Sequence, residues 1–186
     1  MLRKNAILIL QVALVMLAGN MTASAQQSLS EYKLKALFLY NFGKFVEWPA
    51  AAFSNADAPM IIGVYGRNPF NDDLENIVKG QTINSHPLVV RQIALLSDLK
   101  TCHLLFISAS EKNDLSAILK AVRGSSVLTV GETPEFIPAG GMINFFIEDD
   151  KIRFEINPEA ARQAGLTISS KLLSLAEKPP DNPQPE

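Results

Sequence analysis

The chain has 186 residues, of which 47% are apolar, and its 17 basic and 19 acidic residues give a net charge of −2. Such a length suits one domain, and such an apolar fraction excludes an intrinsically disordered chain. The slightly acidic balance argues against a nucleic-acid binder, which normally carries a basic excess. A single cysteine excludes an internal disulfide and a metal site built from several thiolates.

Residues 1–25 have the three parts of a secretory signal peptide. Arg3 and Lys4 give a positive start, residues 6–18 are an almost unbroken apolar run, and the Ala-Ser-Ala sequence at 23–25 suits a signal peptidase. The apolar run is shorter than the ~20 residues that span a bilayer, so we expect cleavage rather than a membrane anchor. Cleavage leaves 161 residues with 15 basic and 19 acidic groups, and the expected location of this mature chain is periplasmic.

A capping box formed by Ser28 and Glu31 predicts a helix that runs from Glu31 to Glu47 and stops before Pro49. Apolar residues mark one stripe of this helix, and further apolar residues lie off the stripe. A helix that is apolar beyond one stripe has a second partner, either a deep core or another subunit. The residues predicted on this basis for a dimer interface are Leu39, Tyr40, Val46 and Trp48.

Between residues 60 and 130, the patterns follow the order strand, helix, strand, strand, helix, strand, and the two helices are predicted to begin at Asn68 and Ser110. The strands are apolar on both faces, which is typical of a parallel sheet covered by helices. Residues 142–147 and 151–156 flank a Glu-Asp-Asp turn and predict an antiparallel hairpin. The predicted fold class is therefore α/β, a single domain with a mostly parallel central sheet flanked by helices and a C-terminal antiparallel hairpin. It covers residues 26–176, and the proline-rich residues 177–186 are predicted to be a disordered tail.

Few residues suggest catalysis or metal binding. Cys102 and His103 are adjacent on a predicted strand, so their side chains point to opposite faces and cannot form a nucleophile–base pair. The only other histidine is His86, and neither histidine has a carboxylate at helical spacing for a metal site. The sequence has no serine-hydrolase elbow and no phosphate-binding glycine motif. We therefore expect a protein that is not an enzyme and that needs no cofactor or metal.

One composite feature suggests a ligand instead. The carboxyl ends of parallel strands form the edge at which open α/β folds bind ligands. Helix N-termini and an arginine at that edge suit a small anion, although ordinary helix capping accounts for the same residues. The alternative function is therefore a periplasmic small-molecule or anion-binding module. Its site consists of Arg67, Asn68, Ser108 and Ser110, with Glu132 beside them.

Several segments resemble the YfiR-like family of periplasmic proteins. They are KALFLYNFGKFVEWP at residues 35–49, CHLLFIS at 102–108, GMINF at 141–145, KIRFEIN at 151–157 and SSKLL at 169–173. The segments at the end of the domain are the most specific. The resemblance covers about residues 31–176, which is nearly the whole mature domain.

The resemblance implies a non-catalytic repressor. The type member of the family holds an inner-membrane diguanylate cyclase inactive through the periplasmic region of that enzyme. An OmpA-like outer-membrane lipoprotein sequesters the repressor, which releases cyclic-di-GMP synthesis and biofilm formation. The partners implied for this chain are such a cyclase, such a lipoprotein and a second copy in a homodimer. Redox-dependent folding, attached to paired cysteines in some relatives, does not carry over because Cys102 is alone.

The C-terminal hairpin and the helices after it are the predicted docking surface. One strand of the hairpin alternates polar and apolar residues, and a short apolar segment broken by glycine follows it. A closed core is the alternative explanation of the same residues. The predicted groove consists of Phe154, Leu166, Ile168 and Leu172, with Glu148 and Arg153 at its rim.

Overall fold

The computed structural model describes residues 31–177. The predicted signal peptide, and all of the predicted tail except Glu177, lie outside the described residues. Within this range the α/β class is confirmed. A seven-stranded mixed sheet is covered by helices on both faces, and a two-stranded antiparallel sheet accompanies it.

The helices are α1 (residues 31–45), α2 (Asp73–Val78), α3 (Leu115–Val122), α4 (Pro158–Gln163) and α5 (Ser170–Leu173). The strands are β1 (Val46–Glu47), β2 (Met60–Tyr65), β3 (Thr82–Ile83), β4 (His86–Ile93), β5 (Leu104–Ile107), β6 (Leu128–Gly131), β7 (Ile143–Glu148), β8 (Lys151–Ile156) and β9 (Thr167–Ile168). Short 3₁₀ helices span Ala50–Ala52, Leu96–Thr101 and Ala109–Asp114.

The large sheet has the strand order β3-β4-β2-β5-β6-β7-β8. The five strands from β4 to β7 in this order are parallel, and the edge strands β3 and β8 are antiparallel to their neighbours. The predicted hairpin is confirmed as β7 and β8. Its two turn residues, Asp149 and Asp150, have φ values of 49° and 58°, as the tightest hairpin turns require.

Each face of the large sheet carries its own core. On one face, α1 and α2 contribute Phe42 and Leu74, and the ring of Phe42 lies 5.1 Å from that of Phe154 on β8. On the other face, α3 contributes Ile118. Alternate residues of β5 enter the two cores, because successive side chains of a strand point to opposite faces. The strands at the centre of the sheet are apolar on both faces because helices cover both faces.

Helix boundaries differ from the predicted ones where local hydrogen bonds or pairing compete. The helix predicted from Asn68 begins only at Asp73, because Asn68 Oδ1 accepts the N–H of Phe70 at 2.9 Å and forms a turn. The helix predicted to reach Glu47 ends at residue 45, because β1 pairs with β9. The helix predicted from Ser110 begins at Leu115, after a 3₁₀ helix.

Candidate functional site

The carboxyl edge of the large sheet has a topological switch point between β2 and β5. The chain leaves β2 for β4 on one side through α2, and it returns to β5 on the other side through the 3₁₀ helix Leu96–Thr101, which covers the opposite face. Ligands of open α/β folds bind at such a point. The predicted ligand residues meet here: the backbone N–H of Arg67 donates to Ser110 Oγ at 3.0 Å.

Side chains of this chain already fill the crevice at the switch point. Gly66 has a φ of 88°, and a Cβ at this position would lie 2.6 Å from both Ser110 Oγ and Glu111 Cγ. Ser110 Oγ also donates to Glu111 Oε1 at 2.8 Å. Ser108 Oγ accepts the N–H of Ser110 at 3.4 Å, which is ordinary capping. The strand end at Gly66 is therefore packed directly against Ser110 and Glu111.

A buried carboxylate occupies the adjacent position, where an anion was expected. Glu132 follows β6, and its carboxylate accepts the N–H of Ala109 at 3.2 Å, the Nζ–H of Lys35 at 2.8 Å and the hydroxyl of Tyr32 at 3.4 Å. The Lys35 side chain is only 5% exposed and that of Glu132 only 6%. Lys35 also pairs with Glu31 at 2.6 Å. Burial, followed by the nearby Glu132 carboxylate, raises the pKa of Tyr32 above its usual range.

This Lys35–Glu132 cluster ties α1 to the ends of β5 and β6. The Glu132 carboxylate is the anion at this edge, and the Lys35 ammonium neutralises it. The N–H of Ala109, the hydroxyl of Tyr32 and the ammonium of Lys35 are therefore engaged within the chain. Sequence reasoning placed Glu132 at this edge but missed Lys35 and Tyr32. The available signal was the i,i+4 spacing of Glu31 and Lys35, which is ordinary on helix surfaces.

The predicted docking groove at the hairpin is closed in the structure. Phe154, Leu166 and Leu172 are buried in the core, and Phe38 and Phe42 of α1 lie against Phe154 with ring centroids at 5.7 and 5.1 Å. Assigning these three residues to an open groove was therefore wrong. Phe154 faces the first helix of the same chain, and Leu166 and Leu172 belong to the same core, as the closed-core alternative expected.

The remaining groove residues lie nearer the surface. Ile168 is half-buried and pairs with Val46 in the β1–β9 ladder. Glu148 and Arg153 are about one-third exposed, and Arg153 Nε lies 3.8 Å from a Glu148 carboxylate oxygen. Arg153 also contacts the carboxylate of Glu177. The rim prediction therefore names surface residues that an approaching protein can reach.

The residues predicted for a dimer interface are mostly engaged within the chain. Leu39 and Val46 are fully buried in the core, so placing them on the surface was wrong. Tyr40 is half-buried, and its hydroxyl donates to Gln81 Oε1 at 3.2 Å. Trp48 Nε1–H donates to the carbonyl of His103 at 3.1 Å. The homodimer itself stays a prediction.

An exposed apolar surface lies instead where α1 meets the tip of the hairpin. Leu34 and Leu37 of α1 are exposed, and Ile147 of β7 is 51% exposed. Phe38, one helical turn after Leu34, packs against the ring of Phe145, two residues before Ile147 on the same sheet face. Leu34 and Ile147 therefore lie at the same end of the molecule. We call Leu34, Leu37 and Ile147 the hairpin-end patch.

Cys102 and His103 have structural environments. A Cβ on Gly63 would lie 2.3 Å from Cys102 Sγ, so the thiol packs on bare backbone, and burial raises its pKa to about 11. His103 Nδ1 accepts the N–H of Ile61 at 3.0 Å, and its Nε2 lies 3.1 Å from the carbonyl of Ala52. Burial lowers the pKa of His103 below 6.5. Both imidazole nitrogens are thus in use, and residues 31–177 contain no cluster of His, Cys, Asp and Glu suited to a metal.

Two clefts open at the amino edge of the sheet, opposite the switch point. The larger, of about 440 Å³, lies between the end of α3 and α4, and the smaller, of about 250 Å³, adjoins His103. In the larger cleft, Glu159 is paired with Arg162 and Gln163. The hydrogen bonds from these two side chains, that of Arg162 first, lower the pKa of Glu159 to about 2. Other polar side chains of this cleft bond to backbone groups: Ser125 donates to the carbonyl of Val122, and Asn157 accepts the N–H of Ala160.

A model of the YfiR/HmsC-like family matches residues 32–177. The chain belongs to the YfiR/HmsC-like family. The match includes the hairpin and the final helices, whose sequences carried the resemblance, and it covers nearly all the described residues. A search of the curated proteins finds no match. Among residues 31–177, no helix is long and apolar enough to cross a membrane.

Proposed function

We propose that this chain is a non-catalytic periplasmic regulator that represses an inner-membrane diguanylate cyclase by contact with the periplasmic region of that enzyme, and so controls cyclic-di-GMP and biofilm formation. The family match over residues 32–177 is the observation that carries the proposal. At the carboxyl edge of the sheet, the predicted ligand residues bond to other groups of this chain, which favours protein–protein contact over small-molecule binding. By resemblance, the proposal extends to an OmpA-like outer-membrane lipoprotein as antagonist and to a homodimer.

The hairpin-end patch is the contact surface that we assign to the cyclase. It presents three exposed apolar side chains on the α1 side of the hairpin, whereas Glu148 and Arg153 lie on the opposite face of the same two strands. Exposed apolar side chains grouped on one surface are typical of a protein interaction site. The patch also joins the first helix and the hairpin, which are two of the segments that carry the resemblance to the family.

The test measures cyclic-di-GMP in the bacterium that makes this protein. Deleting the gene should raise the cyclic-di-GMP content severalfold, and re-expressing the wild-type chain should restore the low level. The double variant Leu34→Asp/Ile147→Asp should fail to restore it, because two carboxylates in an apolar contact remain unpaired. Leu175→Asp, at an equally exposed leucine outside the patch, is the matched control and should restore the low level.

The outcomes separate the function from the surface. Unchanged cyclic-di-GMP after deletion contradicts the proposed regulation. A double variant that restores the low level at wild-type abundance leaves the regulation standing and shows that the patch is not the contact surface. The abundance of each variant is measured by immunoblot. It should equal that of the wild type, because Leu34 and Ile147 are exposed and their replacement should leave the fold intact.

A further inference from the structure

Strand β4 has a free edge over most of its length. On one side it pairs with β2 over six residues, from Leu88 to Ile93. On the other side, the two-residue strand β3 pairs only with His86 and Pro87. The N–H of Leu88 donates to the carbonyl of Gln81 at 3.1 Å, and beyond this bond the edge has no neighbouring strand among residues 31–177.

The outward-facing polar groups of this edge can be assigned from that last bond. Because the Leu88 N–H faces away from β2, the alternation of a strand makes Val90 and Gln92 face away from β2 as well. Their N–H and C=O groups have no backbone partner in the described part of the chain. These four groups are the pattern that an additional extended strand would pair with.

The other edge of the sheet is protected, which makes β4 distinctive. On β8 the carbonyl of Phe154 already accepts the N–H of Glu177 at 2.9 Å. The charged residues Lys151, Arg153 and Glu155 alternate along β8. Charged side chains and chain segments that cover an edge are common defences against strand addition. Residues 89–93 of β4, with one charge among five, have no such protection.

The surface beside the β4 edge is apolar around one cation. Val89 and Arg91 point to the same sheet face and are exposed, and Leu95 and Leu96 follow at the end of the strand. Leu95 is 60% exposed. Arg91 forms no ion pair with any residue of the described range. An incoming strand that complements this surface has a carboxylate near Arg91 and apolar side chains on either side of it.

We infer that the edge of β4 binds an extended segment of the partner protein as an eighth strand, with an acidic side chain of that segment against Arg91. The inference deepens the proposed function and rests on it for the identity of the partner, the repressed membrane protein. Backbone pairing to Val90 and Gln92 supplies the affinity, and the side chains beside Arg91 supply the selectivity. This surface is separate from the hairpin-end patch, which lies at the β8 side of the sheet.

The test introduces a photo-crosslinking amino acid at Val89 of the full-length chain in the native bacterium. Irradiation should join Val89 to a second protein, and mass spectrometry should place the joined residue within two positions of an Asp or Glu in that protein. Val90→Pro removes the outward N–H and should lower the crosslink yield roughly tenfold, since a carbonyl of the added strand is left unpaired. Val90→Thr keeps the N–H and is the matched control. Arg91→Glu, which leaves the backbone unchanged, should lower the yield likewise if Val90→Pro fails to fold.

Three results would overturn the inference: no crosslink from Val89, a crosslink only to a second copy of this chain, or a yield that neither Val90→Pro nor Arg91→Glu reduces. The cyclic-di-GMP content of the deletion strain separates this inference from the proposed function. If deletion leaves the cyclic-di-GMP content unchanged but the crosslink is reduced by the β4 variants, strand addition stands and the partner is not a cyclase. A raised content without a crosslink leaves the repression standing and removes strand addition.

Discussion

Replacing Lys35 by methionine tests whether the Lys35–Glu132 cluster stabilises the fold as its geometry implies. Methionine keeps the length and apolar stem of lysine and removes only the charge. The Glu132 carboxylate then retains the N–H of Ala109 and the hydroxyl of Tyr32, but it loses the only cation that pairs with it among residues 31–177. Lys35→Met should therefore destabilise the protein through an uncompensated buried charge rather than through a cavity.

The size of the effect follows from burial. Both side chains of the pair are about 95% buried, with Nζ–Oε2 at 2.8 Å, and removing one partner of a buried pair costs about 3–5 kcal/mol. The pair with Glu31, whose side chain is 29% exposed, adds less than about 1 kcal/mol because solvent screens it. With a urea dependence of about 2 kcal/mol/M, the urea midpoint should fall by roughly 1.5–2.5 M.

Urea unfolding followed by circular dichroism at pH 7 measures this shift. The double variant Lys35→Met/Glu132→Gln should recover most of the loss, because two neutral side chains of similar size leave no unpaired charge. Arg162→Met removes an exposed pair with Glu159 and should leave the midpoint unchanged. A Lys35→Met midpoint equal to that of Arg162→Met, or no recovery in the double variant, would refute the reasoning.

Three further predictions concern packing and buried titratable groups. Gly131→Ala should destabilise the fold by about 1–3 kcal/mol in urea unfolding, because its Cβ would lie 2.1 Å from the Phe136 ring. Gly124→Ala, with open space around the Cβ and only a φ of 74° to oppose it, should cost less, and equal losses would contradict the packing argument. Cys102, with its pKa raised to about 11, should not react with a disulfide reagent at pH 8 until the protein is unfolded, and rapid labelling of the native chain would show that the thiol is accessible. Burial lowers the pKa of His103 below 6.5, so His103 binds a proton more readily in the unfolded chain than in the folded one. The contribution of the neutral His103 to stability is therefore full above pH 6.5, and it is lost as the pH falls through the folded-state pKa. His103→Asn, compared with wild type in urea at pH 7.5 and 5.5, should lose this part of the pH dependence, and an unchanged difference between the two pH values would count against it.

The sheet could be predicted from the sequence because burial on both faces leaves a local signal. Residues 60–65 and 104–107 are uninterrupted apolar runs, and residues 151–156 alternate, so each pattern reports how many faces of its strand are covered. The β1–β9 ladder leaves no such signal. Val46 and Ile168 pair although they lie far apart in the sequence. Strands β1 and β9 have only two residues each, which is too short to show an alternating pattern.

The candidate surfaces could not be predicted because an apolar residue does not show which partner covers it. Leu39 and Leu34 are both leucines on α1, yet the first is in the core and the second is exposed. The hairpin residue Phe154 was predicted to face another protein, but the first helix of its own chain covers it. Lys35 and Glu132 are 97 residues apart in the sequence, so only the folded chain shows that they form a pair.

The position of Glu132 distinguishes this sheet edge from the edge at which open α/β folds bind a ligand. Beside a switch point of the kind that ordinarily receives a ligand, the chain supplies its own carboxylate to the N–H of Ala109 and its own Lys35 as counter-ion. The cluster joins α1 to the ends of β5 and β6 and so stabilises the fold. Variants of the cluster should therefore lower regulation only as far as they lower abundance. Variants of the hairpin-end patch or of the β4 edge should instead lower regulation at constant abundance, because these surfaces contribute little to the core.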